Sequence, residues 1–440
     1  MKEVKDLLRK LEPVLGKRAK GLWYLNILSK DVKEEHKNLQ FLRLFADNSV
    51  AIDYQEKIRL PPPLPEKLVG DYYIGQVLYP EQPFAPFGLN DGDFPKHILI
   101  VGMTGTGKTN LAFQLLKEQK RHKKPFLVFD WKKSYRRLKV LPEFKDLEVI
   151  RIGDENSEFK FNPLIPPKGI HPKHWMALLI DVIKHAFFVG HGVEYFFRRG
   201  IDELYRRYGV YEGKHYYPTF ADLEKLLQKE YTKGREILWM SAAKRVLSIL
   251  TFSGLIGDVL NVNTHRGIDE LLKKNVVIEL DNLASAEKVF LIESILLWIY
   301  QYRKQQGKRN EFQHSIILEE AHHILSSAKE LSSGEETVVE SMIRMVREFG
   351  ESIMVIDQEP SKLSNSILAN TNCKICFTLG NGKDIFTIAS AMNMTEEQKR
   401  FIDLQKIGCC IVKMKDRFNE PVYCQVPYIE LKGEHAVGIP

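Results

Sequence analysis

The fold of this chain is decided by one stretch, Gly102-Met103-Thr104-Gly105-Thr106-Gly107-Lys108-Thr109, which fits the pattern G-x-x-x-x-G-K-[ST]. The apolar run before it, 97–101, is typical of a buried strand, and apolar residues recur at helical spacing after it. A phosphate-binding loop needs a strand on one side and a helix on the other. We therefore predict a P-loop, against the alternative of a glycine-rich turn that matches by chance.

The residue types of this loop suit a nucleoside triphosphate. Glycines let backbone N–H groups turn inward around the β-phosphate, and the helix N-terminus adds a partial positive charge. Lys108 is expected to reach the β- and γ-phosphates, and the Thr109 hydroxyl to ligate Mg²⁺, so the expected cofactors are ATP and Mg²⁺. The predicted nucleotide-binding residues are Gly102, Thr104, Gly105, Thr106, Gly107, Lys108, Thr109 and Asn110.

Composition restricts the class of protein. The chain has 440 residues, 44% of them hydrophobic and 28% charged, with a net charge of +7, which is ordinary for a globular protein. The first residues are charged, and apolar runs such as 295–300 are far shorter than the ~20 residues of a membrane span. We expect a soluble, cytoplasmic protein with no membrane partner. Its mildly basic charge permits nucleic acid as a partner.

The five cysteines do not form a disulfide framework, which favours a reducing compartment. Cys373 and Cys376 form a C-x-x-C, but in the strand predicted over 373–379 they would face opposite sides. No second C-x-x-C follows. We therefore favour buried strand cysteines over a metal site.

Strands and helices alternate around the P-loop, which indicates an α/β fold with a parallel sheet and helices on both faces. The alternation stops in a stretch with predicted helices at 172–189, 192–208, 219–230, 234–252 and 265–274. We predict a RecA-like P-loop NTPase core with a helical insertion and a helical N-terminal region. The predicted parts are the helical N-terminal region (1–60), a Pro-rich linker (61–70), the first part of the core (71–170), the insertion (171–274) and the second part of the core with a terminal hairpin and tail (275–440).

Two carboxylates follow another apolar run. The run 316–318 leads into Glu319 and Glu320, which has the form of a Walker B element. Ligands of open α/β sheets bind at the carboxyl ends of the strands. ATP hydrolysis needs one carboxylate to hold Mg²⁺ and a second to polarise the attacking water. We assign Glu319 to the metal and Glu320 to the water, although the first residue of this element is usually Asp.

Three further side chains are candidates for the site. Arg347 ends a helix predicted over 335–349, where it is either an arginine finger for the γ-phosphate or a surface arginine favoured by the helix dipole. Gln358 follows the next strand and can hydrogen-bond the γ-phosphate or the attacking water. Asp130 ends the strand beside the P-loop strand, and it either lines the same cleft or caps a turn.

Two groups of cations are candidates for DNA contact. The first, which we call the basic segment, is 117–139, with ten Lys or Arg against two acids and with Trp131 and Tyr135 among them. The second group consists of Arg303, Lys304, Lys308 and Arg309. Such cations suit phosphate backbones, and aromatic rings can stack on bases. Solvated helix ends are the alternative interpretation.

Several segments together resemble the HerA/FtsK superfamily of ring-forming P-loop ATPases, which is near the ATPases of conjugative secretion systems. The resemblance covers about 71–430 and is carried by Lys96–Gly102, Phe161-Asn162-Pro163-Leu164, Glu319-Glu320-Ala321-His322, Arg347-Glu348-Phe349-Gly350 and Asn370–Lys374. It implies that Arg347 is an arginine finger acting in a neighbouring subunit and that Gln358 is a sensor. The N-terminal region departs from the family, which usually begins with a small β-barrel.

The resemblance implies Mg²⁺-dependent ATP hydrolysis by a homo-oligomeric ring, a hexamer, that translocates along or unwinds DNA. Two alternatives belong to other classes. One is an ATPase that powers protein or nucleoprotein transfer. The other is a nucleotide-switched platform for a separate effector, such as a nuclease, in an antiviral complex. DNA-stimulated ATP turnover separates the first function from the other two.

Overall fold

The structure is a computed structural model that describes residues 58, 60–154, 158–264, 267–309, 311–327 and 338–431. The helical region predicted over 1–60 and the tail predicted over 433–440 lie outside the described residues, apart from Ile58 and Leu60, whose side chains are buried. In the predicted linker, a short 3-10 helix at Pro65–Lys67 follows the run of prolines.

One eleven-stranded sheet forms the centre of the fold. Its strands are β1 (Tyr72–Leu78), β2 (Pro83–Leu89), β3 (Ile98–Val101), β4 (Phe126–Asp130), β5 (Glu148–Arg151), β6 (Asn275–Glu279), β7 (His314–Glu319), β8 (Glu351–Asp357), β9 (Cys373–Cys376), β10 (Cys409–Met414) and β11 (Val422–Gln425). Their order in space is β2-β1-β11-β10-β9-β3-β8-β7-β4-β6-β5. The strands from β9 to β5 in this order run parallel, and the others pair antiparallel. The α/β fold predicted from the sequence is confirmed.

The described helices are α1 (Lys108–Arg121), α2 (Pro172–Phe187), α3 (His191–Arg207), α4 (Phe220–Gln228), α5 (Glu236–Leu250), α6 (Ile256–Leu260), α7 (Ile268–Leu271), α8 (Ser285–Gln306), α9 (Val338–Val346), α10 (Asn365–Asn370), α11 (Gly382–Ala391) and α12 (Glu396–Lys399). Helices cover both faces of the sheet. Ile98 of β3 packs in the same apolar cluster as Leu111 of α1, whereas Leu99 packs in the cluster that contains Leu291 of α8. Side chains of β3 are therefore buried on both faces, as is usual for parallel strands.

Helices α2 to α7 lie between β5 and β6, and a short loop holds their base together. The buried Asn162 amide donates to the carbonyl oxygens of Pro218 and Val262 at 2.9 and 2.7 Å, and its own oxygen accepts from the Leu164 N–H. The indole N–H of Trp175 donates to Pro163 O at 2.8 Å. This loop thus ties three parts of the helical stretch to one point.

The structure differs from the predicted elements in three places. The edge strand β2 was not predicted from the sequence. The helix predicted over 265–274 is limited to α7 among the described residues. The helix predicted over 335–349 is α9, and a 3-10 turn at Arg347–Phe349 follows it. Within the described parts of the chain, no helix is both long and apolar enough to cross a membrane.

Cys373 and Cys376 are buried on β9, and their side chains belong to the apolar clusters on opposite faces of the sheet. The predicted strand placement of the C-x-x-C is confirmed.

A buried charge triad consists of Arg303, His314 and Glu351. One Glu351 oxygen accepts from Arg303 Nε at 2.5 Å and the other from His314 Nδ1 at 2.8 Å. Burial alone would raise the pKa of Glu351, but the charges of His314 and Arg303 lower it to about 2. Arg303, which the sequence placed among the candidate DNA contacts, instead stabilises the interior where α8, β7 and β8 meet.

Candidate active site

The P-loop joins β3 to α1 at the carboxyl edge of the parallel strands. Gly102 and Gly107 have φ angles of 156° and 123°, and a Cβ on either would lie 2.6 or 3.0 Å from Phe377. Only glycine lets the loop lie against this ring. Lys108 Nζ donates to the carbonyl oxygens of Gly102 and Met103 at 2.5 and 2.8 Å. The ammonium group therefore lies directly over the loop.

A cavity of about 760 Å³ opens above the P-loop. Of the predicted nucleotide-binding residues, Thr104, Gly105, Gly107, Lys108, Thr109 and Asn110 line it, whereas Gly102 and Thr106 do not. Glu319, Glu320 and Gln358 also line it. The structure thus brings the P-loop, both carboxylates and the glutamine together around one space.

Glu319 lies at the back of the cavity and Glu320 nearer its opening. Glu319 is 6% exposed, and its carboxylate accepts a hydrogen bond from the Tyr135 hydroxyl at 3.0 Å. Glu320 has φ 46° and ψ 45°, a left-handed conformation that non-glycine residues rarely adopt. This turn directs its carboxylate to Lys132 Nζ and Gln358 Nε2, each at 2.5 Å from Oε1.

Burial sets the electrostatics of the cavity. It lowers the pKa of Lys108 to about 8, against the opposing charge of Glu320. Burial raises the pKa of Glu319 to about 7, and the carboxylate of Asp130 raises it further. Both shifts have the same main cause, because burial disfavours the charged form of a side chain. The site therefore gains most from a ligand that brings both phosphate charge and a cation.

Gln358 connects the P-loop to the carboxylates. Its oxygen accepts from the Thr104 hydroxyl at 2.6 Å, while its amide nitrogen donates to Glu320. The neighbouring Asp357 accepts from the backbone N–H of His322 at 2.7 Å and from its ring Nδ1 at 3.0 Å. The hydrogen bond to Asp357 raises the pKa of His322. Chain 319–322 is thus anchored to the end of β8.

The donor set fits a Mg²⁺ ion bound together with phosphates. Mg²⁺ in nucleotide sites takes one or two protein oxygens, and waters and phosphate oxygens complete the octahedron. Thr109 and Glu319 line the same cavity and supply a hydroxyl and a carboxylate. Across the described stretches of chain, no cluster of three or more His, Cys, Asp or Glu forms a site made of protein ligands alone.

Asp130 does not line the cavity, and the prediction that its strand lies beside the P-loop strand is wrong, because β8 and β7 lie between β3 and β4. Its two carboxylate oxygens accept hydrogen bonds from the backbone N–H groups of Lys132 and Tyr135, each at 2.9 Å. Of the two interpretations left open by the sequence, the structure supports the capping role.

Arg347 lies at the opposite edge of the sheet from the cavity. It precedes β8, whereas Gln358 follows that strand, so the length of β8 separates them. The charge of Arg347 acts on His97, which stands at the start of β3. Burial lowers the pKa of His97 to about 4, and Arg347 lowers it as well. Arg347 is exposed, and its guanidinium forms no ion pair with any residue the structure describes.

Most charges of the basic segment are paired within the chain. Seven of its ten cations face carboxylates, in the pairs Lys117–Glu143, Lys120–Asp146, Arg121–Glu118, Lys124–Asp91, Lys132–Glu320, Lys133–Asp281 and Arg136–Glu279. Tyr135 is fully buried, and Trp131 stacks on His323 beneath Lys288. The aromatic rings therefore do not form the exposed stacking surface that the sequence permitted.

Several residues of the cavity were not predicted from the sequence. Lys132 follows β4 and Asp357 ends β8, and the rule that placed Glu319 at a carboxyl edge applies to them equally. A second wall was also missed, which consists of Tyr73, Gln76, Ile407, Gly408, Gln425, Val426, Pro427 and Tyr428. These residues carry no local motif.

A sequence model described as the central domain of helicase HerA matches residues 72–297. The chain belongs to this family. The resemblance to HerA-type P-loop ATPases that the motifs indicated is thereby confirmed. No curated protein sequence matches the chain.

Solved structures share the fold of this HerA-family chain. VirB4 of Thermoanaerobacter pseudethanolicus is 14% identical, with a TM-score of 0.62, over 82% of this chain and 97% of VirB4. The plasmid coupling protein TrwB, solved in complex with ADP and Mg²⁺, is 12% identical, with a TM-score of 0.57, over 82% of this chain and 91% of TrwB. At these identities the similarity establishes a common fold. The HerA-family chain therefore shares this fold along most of its length.

Proposed function

We propose that this protein hydrolyses ATP with Mg²⁺ as a homo-oligomeric ring, a hexamer, that moves along or unwinds DNA. One observation carries the catalytic part of the proposal. A single cavity places Lys108 and Thr109 of the P-loop opposite Glu319 and Glu320, at the edge of the sheet where α/β proteins bind ligands.

Each side chain has a distinct role in this proposal. Lys108 binds the β- and γ-phosphates, and the Thr109 hydroxyl and Glu319 would hold Mg²⁺, which neutralises phosphate charge. Glu320 accepts a proton from the attacking water. Lys132 and Gln358 fix the Glu320 carboxylate through the two 2.5 Å contacts. Gln358 also contacts Thr104 of the P-loop, so it is placed to sense the γ-phosphate.

Arg347 completes the site of a neighbouring subunit in this proposal. It lies at the edge of the sheet opposite its own cavity, and it is exposed. An arginine that compensates charge developing on the γ-phosphate must contact that phosphate. Since Arg347 cannot reach its own cavity, we assign it to the next subunit of a ring.

The DNA part of the proposal rests on the HerA family and not on the basic segment. The segment's charges are mostly compensated within the chain, so it offers little free charge to a phosphate backbone. The powering of protein transfer and the assembly of an effector remain the alternatives that the test must separate.

The test measures ATP turnover with no DNA, with single-stranded DNA and with duplex DNA. We expect Mg²⁺-dependent turnover that at least one of the two DNAs stimulates. Lys108→Ala should abolish turnover without changing the unfolding midpoint, because Lys108 contributes charge and not packing. Lys117→Ala, on the same helix but paired with Glu143 outside the cavity, is the matched control.

Near-normal turnover by Lys108→Ala would remove the P-loop as the active site. Turnover that neither DNA changes would remove the DNA motor and favour the two alternatives.

A further inference from the structure

The P-loop cavity has two chemically different walls, on opposite sides of β3. The carboxylates come from β7, which lies beyond β8 on one side of β3. On the other side the order is β9, β10, β11 and β1. The second wall comes from β1 and β11, from the two residues before β10 and from the three residues after β11. A triphosphate that lies over the P-loop with its γ-phosphate towards Glu320 therefore directs its other end to the second wall.

The second wall presents exposed apolar side chains. Tyr428 and Ile407 are each 82% exposed, although both line the cavity. The chain around Tyr428 is nevertheless held firmly. The Asn110 side chain donates to Pro427 O and accepts from Ile429 N, each at 2.9 Å. Asn110 belongs to the first turn of α1, so the position of Tyr428 is fixed relative to the P-loop itself.

The polar part of this wall consists of two amides. Gln76 of β1 and Gln425 of β11 are directly opposite in the antiparallel pair, and both line the cavity. Neither side-chain amide makes a hydrogen bond to a residue within the described chain. The charged residues that line the cavity, Lys108, Lys132, Glu319, Glu320 and Asp357, all belong to the phosphate and carboxylate side.

We propose that Tyr428 and Ile407 hold the nucleobase of the triphosphate, with Gln76 and Gln425 beside its edge. An aromatic ring stacks on any base because every base has a π-face. A glutamine amide can present either its donor or its acceptor, so two unfixed amides do not favour one purine edge. The wall therefore binds the base of a nucleoside triphosphate by its face and accepts ATP and GTP alike. This inference rests on the proposed nucleotide site.

The first experiment compares ATP with inorganic tripolyphosphate, which has the phosphates and no base. Affinities are measured by calorimetry with Mg²⁺ on the full chain. We expect Tyr428→Ala to weaken ATP binding about tenfold, as expected for the loss of one base–aromatic stack, and to leave tripolyphosphate binding unchanged. Tyr428→Phe should bind ATP like the wild type. Tyr231→Ala is the matched control, because Tyr231 is 85% exposed in the helical stretch and does not line the cavity.

An unchanged ATP affinity in Tyr428→Ala would overturn the inference while leaving the proposed ATPase intact. An equal loss for both ligands would also overturn it, since the base would not be the group contacted. Wild-type protein that binds neither ligand would overturn the proposed function as well.

The second experiment concerns selectivity. The ratio of kcat/KM for ATP and GTP in the wild type should lie within about tenfold, because the wall has no fixed edge-reading group. Gln76→Ala should change the two values by the same factor. A preference for one purine of more than about a hundredfold would overturn recognition by the face.

Discussion

The position of Arg347 predicts complementation between two inactive variants. Glu320→Gln removes the carboxylate that polarises water, and Arg347→Ala removes the proposed finger. Loss of a general base typically costs about 10²–10⁴ in rate, and loss of an arginine finger about 10³–10⁵. Each variant alone should therefore show almost no turnover. A mixture contains interfaces that combine intact Glu320 with intact Arg347.

The distance between Arg347 and the cavity excludes action of this arginine within its own subunit. Strand β8 spans Glu351–Asp357, which at about 3.3 Å per residue puts roughly 20 Å between Arg347 and Gln358. That distance is well beyond the reach of an arginine side chain. If equal amounts of the two variants assemble at random, about a quarter of the interfaces carry both intact groups. With independently acting sites, the mixture should show about a quarter of wild-type turnover.

The assay titrates one variant with the other under conditions that allow subunit exchange, and it records ATP turnover per subunit. Each variant mixed with wild type is the control for a ring that stalls at inactive sites. These control mixtures should keep about half of the wild-type turnover when sites act independently. With the controls passed, a mixture that stays inactive would refute action in trans and leave Arg347 a structural residue.

Three further changes test other parts of the structure. Lys132→Ala should lower kcat by roughly tenfold or more with little change in KM, because Lys132 holds the Glu320 carboxylate and not the nucleotide; steady-state kinetics measure this. Arg136→Ala should lower the free energy of unfolding by about 3 kcal/mol in urea denaturation, because it leaves the fully buried Glu279 without its cation. The pKa of Glu351 in the folded protein is lowered, so its contribution to stability is present above pH 4.5 and is lost as the pH falls towards 2. Glu351→Gln should make the free energy of unfolding nearly independent of pH in that range, and it should lower this free energy at pH 7.

Each of these predictions has its own control. Lys132→Arg keeps the cation and should recover most of the lost kcat, whereas an unimpaired Lys132→Ala would show that Gln358 alone holds Glu320. Lys139→Ala removes an exposed cation of the same segment and should change stability by less than about 0.5 kcal/mol. If the free energy of unfolding of Glu351→Gln changed with pH as steeply as that of the wild type, the triad would be excluded as the source of the pH dependence.

The sequence predicted the features that depend on neighbouring residues. Continuous apolar runs predicted β3 and β7, because parallel strands are buried on both faces. Their carboxyl ends predicted the place of Glu319 and Glu320, which line the cavity as expected. The roles of these two residues stay predictions until turnover is measured.

Features that depend on distant pairings were not predictable from local patterns. Gln76 reaches the cavity only because β1 pairs with β11 near the other end of the chain. Arg136 was interpreted as a candidate DNA contact because Glu279 is far away in sequence and adjacent only in the sheet. Strand β2 was missed because Pro83 and Pro86 lack the N–H of a strand, a defect that is tolerated at the edge where β2 lies.

The placement of α2 to α7 between β5 and β6 has a consequence for synthesis of the protein on the ribosome. Val128 of β4 lies beside Val277 of β6, and about 150 residues separate them in the chain. At 5–20 residues per second, β4 waits roughly 8–30 s for this neighbour, with both strand edges unpaired because β6 and β7 come later in the chain. Such an edge attracts other unfinished chains. We therefore expect the nascent protein to be held by chaperones until β6 has left the ribosome. Stalled chains that end before residue 275 should bind more chaperone than stalled chains that end after residue 330.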